Sequence, residues 1–148
     1  MPVPASFPSS RREKDKHSEN ISEFLSVRRP RRIGYMTDAN TYLTQVLQTN
    51  REIEESNPEV WKTFLAFVHQ VCKDGALPSK FKEIILIALA VADHSPFCIT
   101  LHTKLAIEAG ASKAEIMEGA LMAAAMAGGP GMAFMRYVLD ACEEYGAE

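Results

Sequence analysis

From Thr37 onward the apolar residues recur at helical rather than alternating spacing. A first helix over about 38–55 carries Tyr42, Leu43, Val46 and Leu47 on one side. Asn57-Pro58 reads as an N-cap followed by the first helical position, where proline's fixed φ and missing N–H suit a helix start. The helix it opens carries Val60, Trp61, Phe64, Leu65, Val68, Val71 and Cys72 at spacings of three and four, which predicts a buried stripe; Gly75 ends it. Pro78-Ser79 begins the next helix, about 79–93. Its interior from Ile84 to Ala92 is apolar all round, the pattern of a central helix covered on most sides. A buried strand is the alternative, and the length and alanine content favour helix. Ser95-Pro96 caps a helix of about 96–109 that Gly110 closes. Ser112-Lys113-Ala114-Glu115 is a capping box opening a helix of about 113–127, Gly128-Gly129-Pro130-Gly131 stops it, and a last helix runs over about 131–145. Hairpin signals, alternating strands and solenoid-period repeats are missing. The expected fold is therefore all-α, a compact helical domain over residues 36–148.

The first 35 residues break this pattern. Proline, serine and charge dominate, and only Ile21, Phe24 and Leu25 suggest a docking turn over 21–27. Arg28-Arg29-Pro30-Arg31-Arg32 lies within this stretch. Such a run serves as a nuclear signal, an RNA contact or a site for an acidic partner; a solvated tail, or an arm lying on its own or a neighbouring subunit, is the simpler reading. Residues 1–35 hold eight Lys/Arg and four Asp/Glu, a net of +4, whereas 36–148 hold eight and fifteen, a net of −7. An acidic domain with a basic arm is not a nucleic-acid-binding face.

Apolar residues make up 47% of the chain, enough for a packed core. The longest apolar run, Ile84 to Ala92, is closed by Asp93 and falls far short of the roughly 20 residues of a bilayer span, so no membrane partner is expected. The N-terminus lacks the apolar segment of a secretory signal, and Glu13, Asp15, Glu19 and Glu23 argue against an organellar transit peptide. Cys72, Cys98 and Cys142 are odd in number and far apart, which is no disulfide framework and suits a reducing compartment. A cytoplasmic location is the expectation.

Candidate chemistry concentrates in Ser95-Pro96-Phe97-Cys98-Ile99-Thr100-Leu101-His102. With Ser95 as N-cap, Cys98 is the third helical residue. First-turn N–H groups have no helical carbonyl partner, and the macrodipole adds positive charge there; both favour a thiolate. His102 lies one turn further along the same face, close enough to share a proton with Cys98 directly or through a water. A thiol beside a base at a helix N-terminus is a common way to activate cysteine. Cys98 as a small buried hydrophobe is the competing interpretation. Cys72 and Cys142 have no such setting and read as packing residues.

Glu83 lies near the start of the apolar helix, where Lys80 and Lys82 are expected to face solvent. If Glu83 faces inward it needs a partner, because a buried carboxylate alone is costly, and His102 would serve. His94, Cys98 and His102 are spaced by four, but the break at Ser95-Pro96 takes His94 off the helix and paired zinc-ligand spacings are missing. No metal or cofactor is expected. Gly128 to Gly131 matches neither the Walker nor the dinucleotide spacing.

At these residues the sequence resembles the alkyl hydroperoxidase D-like and carboxymuconolactone decarboxylase family. The thiol-active branch of that family carries Glu, eleven residues, Cys, two residues, Cys, three residues, His. Here the same frame reads Glu83, eleven residues, Ser95, two residues, Cys98, three residues, His102. Leu77-Pro78, Lys82-Glu83-Ile84, Ala109-Gly110-Ala111-Ser112 and Gly128-Gly129-Pro130 extend the likeness over about 56–142. The resemblance implies an alkyl hydroperoxidase D-like helical fold that forms symmetric homo-oligomers, often trimers or hexamers. It also implies a relay in which Glu83 and His102 serve Cys98, reducing peroxides through a cysteine pair. Ser95 stands where the first cysteine of that pair would be, and a hydroxyl cannot form the disulfide. What survives is a single-thiol step, with Cys98 becoming a sulfenic acid that an external thiol restores. Three functions follow as expectations: a cysteine-based peroxide reductase with Ser95 lining the site; a decarboxylase-like lyase using Glu83 and His102 on a small lactone-acid; and a non-enzymatic oligomeric binding protein.

Overall fold

The computed structural model describes residues 38–148; the expected arm over 1–35 and its docking turn lie outside them. Helix α1 (Ala39–Ser56) starts where the Asp38 carboxylate accepts from the Thr41 N–H at 2.7 Å. Its first turn is also tied to the far end of the fold: Glu144 accepts from the Ala39 N–H at 2.8 Å and from the Asn40 side chain. Helix α2 (Pro58–Cys72) has Pro58 at its first position, as expected. Asn57 precedes it without capping it, and its amide donates instead to the Ser56 hydroxyl at 3.0 Å. Helix α3 (Ser79–Ala92) begins with the Ser79 N–H donating to Asp74 at 2.7 Å. Helix α4 (Pro96–Glu108) follows its Ser95 cap, and α5 runs over Lys113–Glu144.

The capping box at the start of α5 forms as expected. Ser112 Oγ accepts from the Glu115 N–H, and Glu115 Oε2 accepts from the Ser112 N–H at 2.9 Å. Lys80 does not stand in solvent but reaches Glu115 at 2.7 Å. That bond and the cap hold the Glu115 carboxyl below the usual range. The expected break at Gly128-Gly129-Pro130-Gly131 is present, as a kink at which two helical stretches of α5 meet. Helical structure continues to Glu144, and the direction changes at Gly128, whose φ of 64° and ψ of −143° are open to glycine alone. Pro130 just beyond it has no N–H to give to the helical ladder, which adds to the break.

Helices α3, α4 and α5 pack on one another around Ile87, Val91, Ile99, Ala106, Ile116, Val138 and Cys142. Cys142 is fully buried, and burial pushes its thiol up to about 11. Gly119 allows α5 to approach α3, because a Cβ there would overlap the Ile84 side chain. This close crossing turns the Glu83-Ile84-Ile87 face of α3 inward.

Two expectations of burial are overturned. No residue of α2 is buried, and Val60, Phe64 and Val71 of the predicted stripe are exposed, Val60 by 67%. Helix α2 touches only α1 and α3 and lies outside the three-helix core. Helix α3 is covered on one side rather than most: Phe81, Ile85 and Leu89 remain open. Periodicity identifies the face that avoids water, not what covers it. Leu47 of α1 is exposed as well, while Leu43 is buried. Among the described residues no helix is long and apolar enough to cross a membrane.

Candidate active site

The inward face of α3 buries Glu83, which is 6% exposed. Its Oε2 lies 2.8 Å from Nδ1 of His102 on α4, and both side chains are largely covered. A carboxylate only accepts, so Nδ1 carries the hydrogen of this bond. Nε2 is then the ring atom left to exchange a proton with other groups. Glu83 thus faces inward and pairs with His102, the arrangement that the sequence held only as conditional.

Ser95, Cys98 and His102 occupy successive positions along one face of α4. The Cys98 N–H donates to Ser95 Oγ at 3.4 Å, a long bond that still marks Ser95 as the cap. The Cys98 thiol is exposed. No hydrogen bond joins it to His102 among the described residues: Glu83 engages the ring one turn deeper, and the thiol stands open at the start of the helix. The free first-turn amides and the helix dipole favour negative charge there.

Cys72, read from the sequence as a packing residue, is half-buried at the end of α2. Burial pushes its thiol up, and the charge and hydrogen bonding of Glu83 push it further, with Lys82 opposing. Lys82 also departs from the expected solvated position. Its ammonium donates to the carbonyls of Val71 at 2.8 Å and Lys73 at 2.7 Å, one on each side of Cys72. Positions 72 and 83 lie on different helices, and only their packing brings them together.

All three thiols are free. No Cα of α2 comes within 8 Å of a Cα of α4. A disulfide needs Cα atoms closer than about 7 Å, so Cys72 cannot bridge to Cys98 without backbone movement. Cys142 is sealed in the core.

A chain of aromatic rings flanks the start of α4. Tyr42 meets Phe97 edge-on at 5.2 Å and Tyr137 at 5.8 Å, and Tyr137 meets Phe134 at 5.3 Å. His94 packs on Phe134 at 4.7 Å, with a left-handed φ of 57°. It is thus turned to a ring, and among the described residues no three His, Cys, Asp or Glu side chains are grouped to hold a metal ion. An open cleft between α1 and α2, lined by Glu54, Trp61, Leu65 and His69 among others, shares no residue with the Glu83–His102 pair.

A sequence model of the carboxymuconolactone decarboxylase family matches residues 58–141. An uncharacterised protein of Cupriavidus necator is 30% identical over 95 residues, which is 64% of this chain and 84% of that protein. A protein of the cox locus of Paracoccus denitrificans is 33% identical over 93 residues, covering 63% and 84%. Among solved structures, an apo carboxymuconolactone decarboxylase family protein from Legionella pneumophila superposes with a TM-score of 0.70 at 32% identity, covering 72% of this chain and 96% of that one. A family protein from Thermotoga maritima, with a suggested involvement in antioxidative response, shares the fold at a TM-score of 0.62 and 22% identity, covering 70% and 88%.

Proposed function

The chain belongs to the carboxymuconolactone decarboxylase family, and on that footing we propose that it is a one-thiol, alkyl hydroperoxidase-like oxidoreductase with Cys98 as its nucleophile. The observation that carries this reading is the buried Glu83–His102 pair, one turn from an exposed cysteine at a capped helix N-terminus. The Cys98 thiolate attacks one peroxide oxygen and the O–O bond breaks. Sulfur is oxidised to a sulfenic acid, and the leaving alkoxide takes a proton through His102 to become an alcohol. Glu83 orients the ring and steadies its charged form. An external thiol then condenses with the sulfenic acid, releasing water and leaving a mixed disulfide. A second external thiol releases Cys98 and carries away the disulfide. The reductant comes from outside because Ser95 has no sulfur, Cys72 is too far and Cys142 is sealed.

Peptide-resolved labelling tests this. With iodoacetamide at neutral pH, Cys98 should react roughly tenfold or more faster than Cys72 and Cys142, whose thiols are both pushed up and so hold little thiolate. Peroxide should place a dimedone-trappable sulfenic acid on Cys98, and Cys98→Ser should remove it. Equal labelling of all three thiols would overturn the reading.

A second reading draws on Ser95 and on the completeness of the Glu83–His102 pair without a thiol. A decarboxylase-like lyase would use that pair to move a proton on a small lactone-acid. Turnover of such an acid that survives Cys98→Ser would put this reading first.

The open apolar faces of α2 and α3, with Met122, Met126 and Met132 exposed, support assembly into a homo-oligomer, a trimer or hexamer. Phe134, by contrast, is engaged within the ring chain. Sedimentation at micromolar concentration should show a multiple of the chain mass, and a clean monomer would contradict assembly. Three unpaired thiols support a reducing, cytoplasmic setting.

A further inference from the structure

The first turn of α4 carries Cys98 and is lightly held. Its first helical bond runs from the Ile99 N–H to the Ser95 carbonyl at 3.0 Å. The Ser95 Oγ cap on the Cys98 N–H is longer, at 3.4 Å, and correspondingly weak. Phe97 and Cys98 are both exposed, Phe97 by 41%, and the buried residues of α4 begin only at Ile99. A helix end with so little burial is where opening starts. Opening matters at this end, because the unpaired amides and the dipole favour a thiolate at Cys98 only while the turn is formed.

A ring of α1 meets this turn from outside. Tyr42 approaches Phe97 with centroids 5.2 Å apart and planes at 87°, the favourable edge-to-face arrangement. Tyr42 is in turn held from α5. Tyr137 meets its ring at 5.8 Å. Two turns further along α5, Glu144 accepts from the Ala39 N–H at 2.8 Å and from the Asn40 side chain, which fixes the turn of α1 that Tyr42 follows. Ala39 and Leu43 are buried on either side of it. We propose that Tyr42 is a positioning residue for Cys98: through Phe97 it keeps the first turn of α4 formed, and with it the aligned amides that favour the thiolate. The last turns of α5 thus reach the nucleophile by way of α1. The contribution to catalysis rests on the peroxidase reading above, whereas the hold on the turn does not.

The test uses the full chain in four forms besides the wild type: Tyr42→Ala, Tyr42→Phe, Phe97→Ala and the double variant Tyr42→Ala with Phe97→Ala. Neither of its two readouts needs peroxide. NMR-detected hydrogen exchange follows the Ile99 N–H, and iodoacetamide labelling of Cys98 is followed across pH. An edge-to-face ring pair corresponds to roughly threefold to tenfold in an equilibrium constant. Tyr42→Ala should speed Ile99 exchange by about that factor relative to a core amide such as that of Val138. It should also move the Cys98 labelling profile to higher pH, with a similar fall in rate at neutral pH. Tyr42→Phe should match the wild type, because the contact needs the ring and not the hydroxyl. Phe97→Ala should lose as Tyr42→Ala does, and the double variant should add little beyond Tyr42→Ala. Phe97 is exposed, so its variant reads the same contact if Tyr42→Ala does not fold. Unchanged exchange and labelling in Tyr42→Ala or Phe97→Ala would overturn the proposal. So would additive losses in the double variant, or the full loss in Tyr42→Phe. If both readouts respond as expected while wild-type Cys98 forms no sulfenic acid with peroxide, the positioning stands and the peroxidase reading falls.

Discussion

Ser95→Cys will let Cys98 form a disulfide with the introduced thiol at position 95, and thiol-dependent peroxide turnover will rise by roughly tenfold or more. The geometry is already in place. Ser95 caps α4, its Oγ accepting from the Cys98 backbone N–H at 3.4 Å, so the N-cap side chain reaches the backbone of the third helical residue within the first turn. In the serine form each sulfenic acid waits for an external thiol to collide with it. In the cysteine form the second thiol is held within the same turn, and an intramolecular attack replaces a bimolecular one. Sulfur from position 95 attacks the Cys98 sulfenic acid and water leaves. The external dithiol then reduces a disulfide rather than a sulfenic acid, and over-oxidation is suppressed. Mass spectrometry after one equivalent of peroxide should show loss of both free thiols in Ser95→Cys and a sulfenic acid in the serine form. The substitution also replaces the capping hydroxyl, which costs about 1 kcal/mol of helix stability and should be visible as a lowered melting temperature. No disulfide and no gain in turnover would mean that Cys98 is not held where the peroxide step needs it.

The parts of this site that were legible in the sequence are those written on one helix. The Ser95 cap, Pro96 at the first position, and Cys98 and His102 on one face follow from spacing alone, because helical geometry converts sequence separation directly into direction. The inward turn of Glu83 was conditional in the sequence. It depends on the tight crossing of α3 and α5 at Gly119, which periodicity does not encode. The family frame, with Glu83 placed before the cap, supplied what local physics left open. Cys72, Lys82 and the rings from Tyr42 to His94 were not legible, since each joins elements far apart in the chain. The stripe on α2 was read correctly as apolar and wrongly as covered, because periodicity marks an apolar face and not what packs on it, and α2 packs only on α1 and α3.

His102→Leu will destabilise the fold by about 3 kcal/mol, and adding Glu83→Leu will restore much of that loss. Removing the imidazole takes away the hydrogen-bond partner of the buried Glu83 carboxylate, and an uncompensated buried charge costs far more than a lost contact. Glu83→Leu alone is milder, because the histidine left behind can stay neutral and is more exposed than its partner, with 17% of its side chain accessible against 8%. The double variant places two apolar side chains between α3 and α4, where Ile87, Val91 and Ile99 already form a dry contact. Buried ion pairs replaced by apolar groups of similar volume are often neutral or better. A double-mutant cycle by urea denaturation, at one protein concentration because assembly would couple to unfolding, should therefore give a coupling energy of about 1–3 kcal/mol. Peroxide reactivity should follow the opposite order, with the stable double variant as inert as His102→Leu. That separation would distinguish a pair that serves the chemistry from one that serves the fold alone. A neutral His102→Leu would mean that Glu83 is not held as a charged group by His102, and the relay would lose its second member.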